Sequence, residues 1–547
     1  MNRAIRVWVL MGAILPAAMP DSAAAAYGGD EEKYVTVFAK KAERLSRELN
    51  ALVTAGGELV GHAEGGGGVL RLGAAGIKKL SGSPVIDKVV VGKPEKLRPV
   101  ERLTVMYEPE NPVTAEQLAD KGFKVLGHNK EGSFFVVMPK NKNGIQAAAV
   151  TGLIADKKVK YVEPVYRYSR PPVPAKEIKK EAEAKKEGGN GQIAPAKVKA
   201  FPNDEHFAQL WGMTTINAPL AWKKINASPS VVVAVIDTGV DYNHFDLKDN
   251  MWVNPKEKKD NKDDDGNEIA DDIHGANFFG SSGMASLASG DPMDIDAHGT
   301  HCAGTIGAVG NTNGKGVAGV TWNVKIMALR FMGPDANGDI TGDSTDAAAC
   351  IDYARLNGAN ILSNSWGGGG ESQVLKDAIG RAEKAGILFI AAAGNGDFAN
   401  ISLDNDLVPH FPSSYPHKNI IAVLAVNSDD TLGAFLNFAT TFSNFGKTSV
   451  HIGAPGGRNK ALNTYILSTT PKGKFEAWPG TSMATPHVAG AAALVWARQE
   501  AAGAGDPKTR WSEVRDLLIT NARQISHLKD KCTTGGILNI EFLSKGP

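Results

Sequence analysis

The chain has 547 residues, 42% hydrophobic and 22% charged, with 61 glycines, 28 prolines and 3 cysteines. That composition excludes whole-chain disorder, collagen and a disulfide-stapled scaffold, and the length accommodates several domains or one large domain with appendages. The net charge of +1 argues against a nucleic-acid partner but hides an asymmetry: residues 201–547 carry 28 basic and 37 acidic side chains, residues 1–200 carry 32 and 22.

Residues 1–26 read as a secretory signal. Arg3 and Arg6 precede an apolar run from Val7 to Met19, and Ala24-Ala25-Ala26 offers a small-residue cleavage site. The run is too short to span a bilayer, and no later segment has 18 consecutive apolar residues, so the expectation is a secreted or periplasmic protein without a stable membrane anchor. Residues 27–96, with the tract Gly65-Gly66-Gly67-Gly68, show no clear core and receive no function.

Residues 97–168 suggest a small α+β unit. Strand-like runs at 103–107, 123–125, 134–137 and 159–168 alternate with helix-like stretches at 114–121 and 146–155, giving the β-α-β-β-α-β order of a ferredoxin-like fold. Residues 169–200 have the Pro-, Lys- and Glu-rich composition of an exposed, easily cut linker. From 201 to 547, Val/Ile-rich strands at 231–236, 325–329, 361–363, 387–391 and 420–423 are separated by helices at 344–357 and 374–385. Continuous apolar strands alternating with helices predict an α/β domain with a parallel sheet covered on both faces. In such sheets the chemistry sits beyond the carboxyl ends of the strands.

Three segments occupy positions of that kind. Asp237 ends the first strand, His298 opens the run His298-Gly299-Thr300-His301-Cys302, and Ser482 precedes an apolar helix in Gly480-Thr481-Ser482-Met483-Ala484-Thr485-Pro486. Amide hydrolysis by a serine needs that nucleophile, a base and a carboxylate to orient the base. A serine at a helix N-terminus also gains backbone N–H groups directed at a developing oxyanion, and Asn395, where a strand ends in a turn, is a second donor. Asp, His, Ser is one of three recurring chain orders for this triad. His301 and His487 flank these residues and read as packing groups. Asp294 and Asp296, just before His298, read as loop or capping groups.

Together these segments resemble the subtilisin-like serine peptidases across residues 201–545, the histidine segment being most similar to the proteinase K branch. The resemblance implies Ser482 as nucleophile, His298 as base then acid, Asp237 as orienter and Asn395 as oxyanion donor. It also implies a substrate-pairing edge at Ser365, Trp366 and Gly367, to which an extended peptide adds as a strand. Ala392, Ala393 and Gly394 form the opposite wall, and small residues there predict broad cleavage after apolar or aromatic residues. The unit at 97–168 resembles the family's inhibitory prosegment, which assists folding and then blocks the cleft until cut away within about 169–203.

Calcium is expected at one or two structural sites. In the loop 261–272, Asn261, Asp263 and Asp265 stand at positions 1, 3 and 5, with Gly266 at 6 and Asp272 at 12, echoing an EF-hand loop without its helices. The resemblance implies a second site from Asp204, Asp246, Val309, Asn311 and Asn313. Three cysteines, Cys302, Cys350 and Cys532, permit at most one bridge, and burial is expected for the Cys302 thiol. The resulting expectation is a secreted, calcium-stabilised serine endopeptidase made as a self-processed zymogen, its partners being peptide or protein substrates and its own prosegment. The rivals are a processing peptidase of narrow specificity, a catalytically silent binding protein on the same fold, and a sedolisin-like acid peptidase, which would need a glutamate as base.

Overall fold

Apolar side chains at Leu103, Val105, Phe135, Val137 and Val162 close a small core over Leu118. They come from strands β1 (Leu103–Tyr107), β2 (Phe123–Asn129), β3 (Phe134–Pro139) and β4 (Val159–Pro164), with helix α1 (Ala115–Asp120) between the first two. The helix starts at a capping box: the Thr114 hydroxyl accepts from the Gln117 N–H, and the Gln117 side chain accepts from the Thr114 N–H. In this computed structural model the sheet runs β2-β3-β1-β4, antiparallel throughout, which is the ferredoxin-like arrangement.

Side chains are described for residues 102–140, 153, 155–170, 202–311, 314–368, 370–396, 401–436, 440–504, 506 and 508–545. Five backbone strands, Ile5–Trp8, Lys33–Ala39, Glu58–Ala63, Gly67–Leu72 and Val90–Val91, form a separate sheet. Most of the signal segment, nearly all of the helix expected at 146–155, the linker from 171 to 200 and Asn313 lie outside the described residues. The chain divides into two units, residues 1–167 with 369–376, and residues 168–368 with 377–547.

The second unit is built on a nine-stranded sheet. Its strands are β5 (Ala227–Asp237), β6 (Gly275–Asn277), β7 (Asn323–Arg330), β8 (Ile361–Asn364), β9 (Leu388–Ala392), β10 (Ile420–Val426), β11 (Ile452–Pro455), β12 (Arg523–Gln524) and β13 (Gly536–Ile537). The order is β6-β7-β5-β8-β9-β10-β11-β13-β12, parallel except for the last pair. All seven residues of β10 are buried, so the Val/Ile-rich run reflects cover on both faces. Helices Ser344–Leu356 and Gln373–Lys384 occupy the two expected stretches.

Two helices fix the site. Helix α2 (His298–Gly307) is buried along its whole length, and helix α3 (Thr481–Ala501) is buried from Thr481 to Trp496. A helix buried on every face belongs inside a large core, and both contribute to the main cluster with Val233, Val235, Ile390 and Val423 of the sheet. Their N-termini carry the histidine and the serine, while β5, β8 and β9 end at Asp237, Asn364 and Ala392. The expected parallel α/β architecture is the one observed.

Candidate active site

Asp237 and His298 meet at the end of β5. The His298 Nδ1 lies 2.8 Å from Asp237 Oδ1, and both side chains are 1% exposed. Asp237 Oδ1 also accepts from the Thr238 N–H at 2.7 Å, which pins the carboxylate. Gly299 makes the approach possible, because a Cβ there would stand 2.0 Å from the Gly239 carbonyl oxygen. The hydrogen bond at Nδ1 fixes the orientation of the imidazole ring.

Asp294 organises the turn before the histidine. Its carboxylate accepts from the N–H groups of Asp296, Ala297 and Thr300 and from the hydroxyls of Thr238 and Thr300. That is the capping role read from the sequence. Asp296 differs: its carboxylate faces Arg170, with Nη2 2.8 Å from Oδ1 and Nε 2.6 Å from Oδ2.

Ser482 is the second residue of α3, and its hydroxyl donates to the Ser365 carbonyl at 2.9 Å. Cys302, one turn after His298, places its Sγ 3.5 Å from the Ser482 carbonyl. Cys302 can also bring its sulfur within 4.8 Å of ligand atoms on both Asp237 and His298. Burial pushes this thiol's pKa up, so it remains protonated and packs instead of reacting. All three cysteines are buried and unbridged.

Asn395 is held by its oxygen. Oδ1 accepts from the Thr481 N–H at 2.8 Å and from the Thr481 hydroxyl at 2.7 Å, which leaves Nδ2 as the donor edge. Gly480 matters here because its φ of +146° and the nearby Nδ2, 3.1 Å from any Cβ at that position, both disfavour a side chain. The amide is thereby held beside the N-terminus of α3.

The flanking histidines are locked and neutral. His301 Nε2 bonds the carbonyls of Ile466 and Glu476, its ring stacks on Trp478, and burial lowers its pKa to about 3. His487 bonds the Met483 carbonyl at 2.8 Å and is lowered to about 4, again by burial.

Of the expected substrate edge, Gly367 exchanges two main-chain hydrogen bonds with Ser169, at 3.2 and 3.3 Å, as an antiparallel pair. Trp366 is fully buried, donates to the Ile236 carbonyl and packs between Phe331 and Tyr168. Ser365 faces Ser482. On the opposite wall, Ala392 and Ala393 are buried and the Gly394 N–H donates to the Thr481 hydroxyl. Sequence reasoning missed His410. Its ring atoms would lie 2.2 Å from a Cβ on Gly367 and 2.8 Å from one on Gly394, so it stands against both walls. Only its place in the fold, far from any motif, reveals it.

The acidic loops also take shape. Oxygens of Glu257, Asp265 and Asp272 lie within 4.8 Å of one another. Glu257 was not anticipated; Asp263 is occupied by the N–H groups of Gly266, Asn267 and Glu268, and the Asn261 N–H donates to Asp271. Asp272 accepts from Asn254, Asn267 and Tyr353. Elsewhere, Asp204 accepts from the Asn311 N–H, Val309 N–H donates to the Asp246 carbonyl, and Asp246 Oδ2 accepts from the Val317 N–H. Asp246 Oδ1 is buried with no hydrogen-bond partner among the described residues. Burial, with the neighbouring Asp204 charge, pushes the Asp246 pKa up to about 7.

Residues 228–539 match the sequence profile of the subtilase family, peptidase S8. Subtilisin-like protease 1 of Plasmodium vivax is 33% identical over 350 residues, covering 62% of this chain and 51% of that protein. A thermophilic serine proteinase of Bacillus sp. strain AK1 is 34% identical over 295 residues, covering 54% and 59% respectively. The chain therefore spans about half the length of the curated relatives it matches. Fervidolysin from Fervidobacterium pennivorans, described as a keratinolytic enzyme related to subtilisin, shares the fold with a TM-score of 0.56 at 24% identity, covering 82% of this chain and 61% of that one. With more than half of its length matched by the profile, the chain belongs to the subtilase family.

Proposed function

We propose that the protein is a serine endopeptidase in which Ser482, His298 and Asp237 form the catalytic triad. The observation that carries this reading is the buried 2.8 Å bond between His298 Nδ1 and Asp237 Oδ1, which directs Nε2 to the proton-transfer role. The Ser482 Oγ attacks the scissile carbonyl carbon as its proton passes to His298 Nε2. The resulting oxyanion accepts a hydrogen bond from Asn395 Nδ2. His298 returns the proton to the leaving nitrogen as the C–N bond breaks, leaving an ester on Ser482. Water attacks that ester as its proton passes to His298 Nε2, and His298 returns the proton to Ser482 Oγ as the acid product leaves. Fluorophosphonate labelling tests the assignment: Ser482 takes the label and the Ser482→Ala chain does not, whereas an unlabelled wild-type chain defeats it.

The small walls at Ala392, Ala393 and Gly394 favour apolar or aromatic side chains before the cut, with His410 limiting the pocket's depth. Export rests on the signal-like start; among the described residues no helix is long and apolar enough to cross a membrane. The ferredoxin-like unit over 97–168 acts as folding aid and inhibitor, and maturation cuts the linker.

Calcium suits two places. The unpartnered, buried Asp246 Oδ1 beside Asp204 is a donor pair that a cation would satisfy, with the 309–311 segment adjoining. Glu257, Asp265 and Asp272 supply a second all-oxygen set, suited to a hard cation. Calcium bound there would stabilise the loops without entering the reaction.

A further inference from the structure

We infer that Asn395-Gly396 is a site of spontaneous deamidation built into the fold, and that Asn444 is the positioning residue that keeps it from reacting. The inference deepens the reading of Asn395 as oxyanion donor, and its consequence for activity rests on that reading.

The fold imposes glycine at 396. Its φ is +83°, and a Cβ there would stand 2.6 Å from the Ile401 carbonyl oxygen and 2.8 Å from the carbon of that carbonyl. Asn395 is therefore followed by a residue with no side chain to shield its backbone nitrogen. In such a pair the Gly396 nitrogen loses its proton and attacks Asn395 Cγ. The Cγ–Nδ2 bond breaks, and the amide nitrogen takes up a proton and leaves as ammonia. Water then opens the cyclic imide at either carbonyl, leaving aspartate or isoaspartate. Both products lack the Nδ2 donor, so the reaction removes the group that would face the oxyanion.

Hydrogen bonds hold both reacting groups. Asn395 Oδ1 takes the Thr481 N–H and hydroxyl, which ties the carboxamide to the start of α3. The attacking nitrogen is held by Asn444, whose Oδ1 accepts from the Gly396 N–H at 2.9 Å and from the Leu403 N–H at 3.0 Å. Asn444 is itself fixed at two points. Its N–H donates to the Gly394 carbonyl at 2.9 Å, and its Nδ2 donates to Asn405 Oδ1 at 3.1 Å. Asn405 in turn donates to the Ala393 carbonyl at 2.8 Å, and both asparagines are buried. Two side chains remote in sequence thus staple the backbone on either side of Asn395. The Gly396 N–H must leave its acceptor before it can lose a proton, and a buried Asn444 Oδ1 left without that donor adds to the cost.

The test follows isoaspartate by peptide mapping in the full chain carrying Ser482→Ala, incubated at mildly alkaline pH so that self-digestion plays no part. Adding Asn444→Ala should speed conversion at Asn395 about tenfold, the worth of one hydrogen bond carried into a rate. Conversion at Asn337-Gly338, a pair elsewhere in the chain, should not change, which separates loss of the staple from general loosening. An unchanged rate at Asn395, or an equal rise at Asn337, overturns the proposal. If Asn444→Ala does not fold, the chain with Asn444 intact decides. Conversion at Asn395 at least about tenfold slower in the folded chain than in urea, with a Gly396 amide slow to exchange for deuterium, supports the proposal. Equal rates, or a rapidly exchanging amide, overturn it. The chain with Ser482 intact keeps the two readings apart. Activity of Asn444→Ala that falls in step with conversion supports Asn395 as oxyanion donor, whereas activity that survives full conversion removes Asn395 from that role and leaves the chemistry at 395 standing.

Discussion

Ser365 and Ser482 exchange hydrogen bonds: the Ser482 hydroxyl donates to the Ser365 carbonyl, and the Ser365 hydroxyl donates to the Ser482 carbonyl, each at 2.9 Å. Pro486 explains why the second bond exists. In an α-helix the Ser482 carbonyl would receive the N–H of residue 486, and proline has none. The freed carbonyl turns to Ser365 and Cys302 instead. Ser482, the proposed nucleophile, and Ser365 are thereby bound into one unit. Ser365→Ala should lower stability by about 1–3 kcal/mol, as expected when a buried acceptor loses its donor. Thermal unfolding compared with Ser365→Thr checks this, and an unchanged midpoint in the alanine variant counts against the coupling.

Asn395→Ala should reduce kcat by about a hundred- to a thousandfold while KM changes little, because the amide acts on charge that develops only in the transition state. Since Oδ1 also ties Thr481, Asn395→Asp is the sharper probe: it keeps that oxygen and removes the Nδ2 donor. Steady-state kinetics separate the two effects. A loss confined to KM would remove Asn395 from the oxyanion role.

His410→Gly should deepen the pocket between Gly367 and Gly394. Relative kcat/KM for phenylalanine over alanine at the residue before the cut should rise about tenfold, in line with the worth of added apolar contact in a specificity pocket. Profiling with a peptide library reads it directly; an unaltered ratio would place His410 outside the pocket.

Chelation should lower the unfolding temperature far more than it lowers the initial rate, because the acidic groups at Asp204 and Asp246 and at Glu257, Asp265 and Asp272 lie in loops apart from the triad. Differential scanning calorimetry with and without chelator provides the comparison. Identical melting curves would remove calcium from the account.

Stability should fall on acidification from about pH 6.5 toward pH 4. His301 and His487 are kept neutral by burial, with pKa values near 3 and 4, whereas in the unfolded chain both take up protons near 6.5. Between those values the unfolded state binds more protons, so stability rises with pH. His487→Gln, which cannot gain a proton, should flatten the slope in urea titrations across this range; an unchanged slope would show that His487 is not held neutral.

Much of this arrangement was legible in the chain alone. Asp237, His298, Asn395 and Ser482 announce themselves because each local motif meets a local demand: an acid at a strand end, a glycine after the histidine, a serine at a helix start. The parallel sheet followed from continuous Val/Ile runs, since strands covered on both faces have no polar alternation to show. What only the tertiary structure decided are contacts between residues remote in sequence. Glu257 joins Asp265 and Asp272, while Asp263 is spent on its own turn. His410 stands against both Gly367 and Gly394, from a segment remote from either. Asp296, read from sequence as a loop or capping group like its neighbour Asp294, meets Arg170 across 126 positions. The near-zero charge of the whole chain likewise concealed where its charges meet. Composition and periodicity report what a residue needs locally, but pairing across the fold depends on which loops the sheet brings together.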